Sequence, residues 1–306
     1  MTQDRKVNLF LLGCQKSGTT SLAQYLSRAP EIHVPKIKEI QFFSNDTYFE
    51  KGLAYFHSFF PKNADTHVYL CDASPQYIAS ISALTRLAAY NPDAKFLLVL
   101  RDRHARMLSQ YRMMHSRGTE VDDLNTIIAR DLHALVQGGI SDEISMDENY
   151  LHNSLFGALI ERALSLLPAE NFFVFSQSCF SQPEILSREL STFLGIDFSP
   201  DYLEGQYNTG SDASVSLFSD LIKRFPVAKR IGKVLPEHRR RTLSRSLRFA
   251  TEVRLKAKAV PTVDEGASLD MELAKQVECV FTADHAVLNR IVLNGQIHTL
   301  GLSDLI

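Results

Sequence analysis

The chain has 306 residues, 45% hydrophobic and 22% charged, with a formal net charge of −2, enough apolar material for one large α/β domain. No apolar run reaches the roughly 18 residues that a membrane-spanning helix needs, and the opening MTQDRKVNLF carries no apolar signal segment. Cys14, Cys71, Cys179 and Cys279 show neither disulfide-framework nor zinc-site spacing, so the expectation is a cytoplasmic chain with free thiols, no membrane association and no metal.

Residues 8–29, NLFLLGCQKSGTTSLAQYLSRA, predict a strand over Leu9–Leu12, a turn from Gly13 to Gly18, and a helix with Leu22, Tyr25, Leu26 and Ala29 on one face. The amides of such a loop converge at a helix N-terminus, where the dipole favours an anion. Thr19, Thr20 and Ser21 add hydroxyls and Lys16 adds a cation, so Gly13, Lys16, Ser17, Gly18, Thr19, Thr20 and Ser21 are read as a phosphate cradle. Gly13 and Gly18 keep the spacing of a nucleotide-triphosphate loop, but Thr19 stands where that loop carries its lysine. GCQKSGTTSL resembles the 5′-phosphosulfate loop of sulfotransferases that use 3′-phosphoadenosine 5′-phosphosulfate (PAPS), in their bacterial and heparan-type branch. The resemblance implies a P-loop-like three-layer α/β/α fold around a central, mostly parallel sheet. It also implies PAPS as co-substrate, 3′,5′-adenosine bisphosphate (PAP) as product, and no metal.

Pro30 and Pro35 predict an irregular or extended stretch over 30–46. Within it, Lys36, Lys38, Glu39, Phe42 and Phe43 are similar to the K-E-x-x-F-F segment of that family. By that similarity Glu39 is the base that takes the acceptor's proton; a carboxylate beside apolar rings is a stronger base than one in water. The rings of 47–67 are expected mostly in the core, with some lining an acceptor pocket. Val68–Cys71 predicts a buried strand ending at Asp72 and a turn at Ser74-Pro75. Several heparan-type relatives carry Lys where this chain has Ala73, a departure that weighs against a heparan-type acceptor.

Ile78–Tyr90 predicts an amphipathic helix and Lys95–Leu100 an apolar strand that delivers Arg101 at its carboxyl end, where open parallel sheets bind ligands. RDRHARMLSQY resembles the family's 3′-phosphate motif R-D-P-x-x-R-x-x-S-x-Y through Arg101, Arg106, Ser109 and Tyr111, with Arg103 in place of proline. Arg101 and Ser109 are therefore read as ligands of the 3′-phosphate; the alternative is a helix capped by Asp102 with arginines facing solvent.

Residues 116–149 read as a polar insertion or lid with one helix, Leu124–Val136. A helix is expected over Asn149–Leu167, in which Phe156 falls where relatives place a tyrosine near the adenine, so Phe156 is a cofactor-binding candidate or a core ring. Asn171–Phe175 reads as a strand and Pro183–Leu194 as a helix closed by Gly195. Beyond Pro200 the resemblance thins to Asn208 in a turn and Arg230–Lys233 as a loose match to the late nucleotide loop. Residues 223–258 hold thirteen Lys or Arg against Glu237 and Glu252, a solvated helical face or a basic rim. A last amphipathic helix is expected over 269–294.

The chain is thus read as one domain, 1–306, with a core at 8–195. Loop amides, Lys16, Thr19 and Thr20 would hold the phosphosulfate, Lys16 would stabilise the leaving oxygen, and Glu39 would be the base. The acceptor is a small molecule or carbohydrate bearing a hydroxyl or amine; no nucleic acid is expected and oligomeric state is not readable. Two other readings stay open: a P-loop kinase with Asp72 positioning magnesium, and a non-catalytic protein that binds a polyanion through its basic region.

Overall fold

Strand β1, Leu9–Gly13, is buried along its whole length, because it runs through the middle of the sheet with a layer of helices on each face. Leu9 and Leu11 point to one side and Phe10 and Leu12 to the other, into two different cores. The computed structural model describes residues 5–37, 39–61, 67–120, 122–138, 149–203, 269–303 and 305. Lys38, Asn208, Arg230–Lys233, the basic stretch 223–258 and, in the expected lid, residues 121 and 139–148 lie outside the described residues.

The other strands are β2 Ile32–His33, β3 Tyr69–Asp72, β4 Lys95–Leu100, β5 Phe172–Ser176 and β6 His298–Leu300, in spatial order β2-β3-β1-β4-β5-β6. All the pairings are parallel. The chain leaves β1 toward β3 on one side and leaves β4 toward β5 on the other. The carboxyl ends of β1 and β4 therefore flank the crevice where such sheets bind ligands.

Helices α1 (Thr19–Leu26) and α8 (Pro183–Leu194) cover one face through Leu22, Leu26, Leu186 and Leu190. Helices α4 (Ile81–Tyr90), α7 (Phe156–Leu164) and α9 (Met271–Leu293) cover the other through Leu84, Leu87, Leu159, Ile160, Leu288 and Ile291. Two short helices, α2 (Asp46–Phe49) and α3 (Leu53–His57), join this second core: Phe56 is fully buried, while Tyr48, Phe49, Tyr55 and Phe59 pack against it from its rim. Helices α5 (Arg103–Ser116) and α6 (Leu124–Val136) build a third cluster with Val277 and Phe281 of α9.

Helix starts follow their caps. Side-chain oxygens of Ser80, Asp102, Asp123 and Asp270 accept the backbone N–H of Ala83, Ala105, Thr126 and Leu273. The cap at Ser80 explains why the regular helix begins at Ile81 and Tyr77–Ala79 forms a 3-10 turn. The single helix expected over 149–167 is instead a 3-10 turn at His152–Ser154 and α7, separated by Leu155 at φ −84° and ψ 74°. The strand expected from Val68 begins at Tyr69, since Val68 is half exposed.

Helix α9 is fastened from far away in sequence. Asp284 lies on its buried stripe and accepts from the Gly157 and Ala158 amides, at 2.9 and 2.8 Å, at the start of α7. It also pairs with the Arg103 guanidinium at 2.9 Å. Removing one member of a buried pair leaves the other charge uncompensated. Asp284→Ala is expected to lower unfolding free energy by about 3 kcal/mol, measured by urea denaturation.

Candidate active site

The turn after β1 leads directly into the N-terminus of α1. The Cys14 amide donates to Val99 O at 3.0 Å and the Ser17 amide to Cys14 O at 3.2 Å. Lys16 has φ 68° and Gly18, the N-cap of α1, φ 100°. A Cβ at Gly18 would lie 2.9 Å from the Phe180 ring, so both backbone angle and space demand glycine there. No side chain caps α1, and the amides of its first turn have no helical carbonyl to bond. Ser17 Oγ is wholly buried and has no partner among the described residues. Gly13 ends β1, Thr19 is buried, and Thr20 and Ser21 are half-buried on the first turn. An anion would satisfy the Ser17 hydroxyl and is favoured at a helix N-terminus, so the loop fits a phosphate or phosphosulfate group. The Cys14 thiol is pushed up to about 12, chiefly by burial, and is neutral and unreactive at physiological pH.

Two arginines from the β4–α5 junction hold this loop. Arg101 is half-buried and donates to Lys16 O at 3.3 Å. Arg106 is completely buried and donates to Gln15 O at 3.4 Å, Ser154 Oγ at 2.7 Å, Gln110 Oε1 at 2.8 Å and Tyr150 O at 2.7 Å. Asp102 does cap α5, but Arg106 does not face solvent. Ser109 is half-buried one turn beyond Arg106, and its hydroxyl has no protein partner among the described residues. Lys16 Nζ lies 3.4 Å from Met113 Sδ on α5.

Phe156 is not at this surface. Its ring is fully buried in the second core, with the Arg103 guanidinium 5.3 Å from its centroid. It is a core ring in this fold, because the break at Leu155 turns the start of α7 inward.

Glu39 is held against the turn that follows β3. Its amide donates to Ala73 O at 3.2 Å, and Gln76 Nε2 donates to Glu39 Oε2 at 3.2 Å. Glu39 and Gln41 have φ of 62° and 55°. Phe42 and Phe43 are wholly buried and anchor the segment, with Phe42 stacked on Phe56 at 4.8 Å. Gln76 escaped the sequence reading because only folding brings it to Glu39. Asp284 left a trace, as the one acid among Val277, Phe281, Leu288 and Ile291 on a helical stripe.

Beneath Glu39, Asp72 is fully buried and accepts from the Ser74 hydroxyl at 2.7 Å and the Tyr77 hydroxyl at 2.8 Å. Those hydroxyls accept in turn from the amides of Gln41 and Phe43. Burial raises the Asp72 carboxyl to about 6, against the smaller opposing effect of the two hydroxyl donors. A carboxyl raised above its unfolded value favours folding at low pH and loses that advantage as pH rises through the folded value. Wild type should therefore lose stability relative to Asp72→Asn between pH 4 and 7, by on the order of 2 kcal/mol, in paired denaturation curves at the two pH values.

Comparison with known proteins places these features in a family. Residues 6–214 match the sulfotransferase domain, which is more than half of the chain. Over 213 residues the chain is 30% identical to human bifunctional heparan sulfate N-deacetylase/N-sulfotransferase 1, covering 66% of this chain and 23% of that protein. It is 25% identical over 187 residues to mouse heparan sulfate glucosamine 3-O-sulfotransferase 3A1, covering 61% of this chain and 45% of that one. The chain thus spans about a quarter to a half of the length of these relatives. The crystal structure of a sulfotransferase from Alicyclobacillus acidocaldarius has the same fold, with a TM-score of 0.55 and 23% identity over 74% of this chain and 99% of that one. The chain belongs to the sulfotransferase family.

Proposed function

We propose that this chain transfers a sulfuryl group from PAPS to a hydroxyl or amine of a carbohydrate or small-molecule acceptor. The observation that carries the reading is the Arg101 bond to Lys16 O, which sets a guanidinium beside the glycine-bounded loop at the N-terminus of α1, where Ser17 Oγ is buried with no partner among the described residues. The loop amides, Ser17, Thr19 and Thr20 would hold the 5′-phosphosulfate, and Arg101 with Ser109 the 3′-phosphate. When bound, PAPS supplies the sulfuryl group: the acceptor's lone pair bonds to sulfur while the bond from sulfur to the phosphate oxygen breaks, its electron pair leaving on the phosphate.

Lys16 rests against a thioether, a weak acceptor, and a phosphate oxygen would draw it away to stabilise the charge that builds there. Glu39 would take the acceptor proton. The carbohydrate acceptor is proposed from the relatives' named substrates, with Ala73 marking a difference in how it is held.

A kinase reading needs Asp72 for magnesium. Both its oxygens are engaged by hydroxyls inside the core, which speaks against that role. The polyanion reading rests on 223–258, outside the described residues.

Calorimetry of PAP, 5′-AMP and ATP without magnesium tests the proposal. PAP should bind at least tenfold more tightly than 5′-AMP, and Arg101→Ala should abolish the preference. Equal or tighter binding of ATP would overturn the reading.

A further inference from the structure

Gln76 is nine-tenths buried, and its amide has two unlike ends. Nε2 donates to Glu39 Oε2 at 3.2 Å. Oε1 is buried and has no partner among the described residues. The residue lines a cavity shared with Cys14, Gln15 and Asn153, with room for about one water molecule. A buried carbonyl needs a hydrogen-bond partner, and none of the described residues supplies one to Oε1 beside the proposed base.

We propose that Gln76 is a positioning residue for Glu39, its amide donating to the carboxylate before proton transfer and, after turning end for end, accepting from the carboxylic acid. The proposal rests on the reading of Glu39 as base. An ionised carboxylate only accepts, whereas its protonated form must donate. A side chain that serves both states needs a donor and an acceptor in one planar group of nearly symmetric shape, and an amide is that group. Because Oε1 has no protein partner among the described residues, the protein hydrogen bond that turning the amide breaks is the one to Glu39, which has by then lost its charge.

The turn carrying Gln76 is itself fixed. Ser74 and Tyr77 on either side are bonded to buried Asp72 and receive the amides of Gln41 and Phe43. Glu39 and Gln76 thus stand on one frame, and small errors in placing a reacting group lower rates steeply.

The experiment compares wild type, Gln76→Met, Gln76→Glu, Glu39→Gln and the double variant Glu39→Gln/Gln76→Met. PAPS consumption is followed with N-desulfated heparan sulfate and with 4-nitrophenol, alongside calorimetry of PAP and thermal unfolding. Gln76→Met should lower kcat roughly 10- to 100-fold while acceptor KM and PAP affinity stay within about twofold. In the Glu39→Gln background it should lower the rate no further, as expected of a residue acting only through Glu39. Gln76→Glu keeps the side-chain shape and should lose at least as much, and it answers the question if the methionine variant fails to fold. In the unliganded protein, the Gln76 side-chain amide signal in 15N–1H spectra should move on Glu39→Ala.

Full activity of both Gln76 variants beside an inactive Glu39→Gln would overturn the role of Gln76 and leave the base in place. Losses that multiply in the double variant, or an unmoved amide signal, would also overturn it. A fully active Glu39→Gln would remove the base reading and this proposal with it. If wild type consumed no PAPS with either acceptor and also bound PAP no more tightly than 5′-AMP, the sulfotransferase reading itself would fall.

Discussion

The arrangement depends on one buried charge. Arg106 has no exposed surface, and none of its hydrogen bonds goes to a carboxylate: the acceptors are two backbone carbonyls, an amide oxygen and a hydroxyl. Burying a charge is tolerable only when its donors are satisfied, and here they are met by oxygens from the loop after β1, from its own helix and from the turn before α7. Burial lowers its pKa to about 10, so the cation persists at neutral pH. It adds a fixed positive charge behind a helix N-terminus that already favours anions, and it joins three segments that the chain would otherwise leave to loop packing.

Lys16, Glu39 and Gln41 share left-handed backbone. For residues with a Cβ this costs about 1–2 kcal/mol each, comparable to what a hydrogen bond returns on balance, about 1 kcal/mol. The offsets are local. Arg101 bonds the Lys16 carbonyl, Ala73 accepts the Glu39 amide, and Ser74 accepts the Gln41 amide. Such strain persists only where surrounding structure over-determines it, and the residues proposed to stabilise the leaving oxygen and to take the acceptor's proton are both among the three.

The parts legible in the sequence are those in which one local rule decides. The apolar run, glycine turn and helix of residues 8–29 declare themselves. Leu124–Val136 and Pro183–Leu194 form where periodicity and caps put them, and α9 falls within a residue or two of its expected span. What could not be read depends on distant partners. β6 is three half-buried residues after a glycine turn, made a strand only by pairing with β5. Gln76 meets Glu39 across 37 positions. The break at Leu155 interrupts a run whose periodicity is helical throughout. It is enforced because Arg106 takes Tyr150 O and Ser154 Oγ while Asp284 takes the next amides.

Two departures from the family's pattern, Arg103 for proline and Phe156 for tyrosine, prove to be a single packing event. At the first position of α5 a proline would offer no reach. Arg103 extends to Asp284, donates to Ser154 O at 3.2 Å, and lies between the rings of Phe156 and Phe281, 5.3 and 5.7 Å from their centroids. A phenolic hydroxyl at 156 would enter a space with no exposed surface and would need a partner of its own; a phenyl ring needs none and offers its face to the cation. Each substitution therefore makes sense only beside the other. Together they bind the C-terminal helix α9 to the strand end that carries Arg101. The geometry of the Arg101 side of the crevice thus depends on a helix that begins more than 150 residues further along the chain.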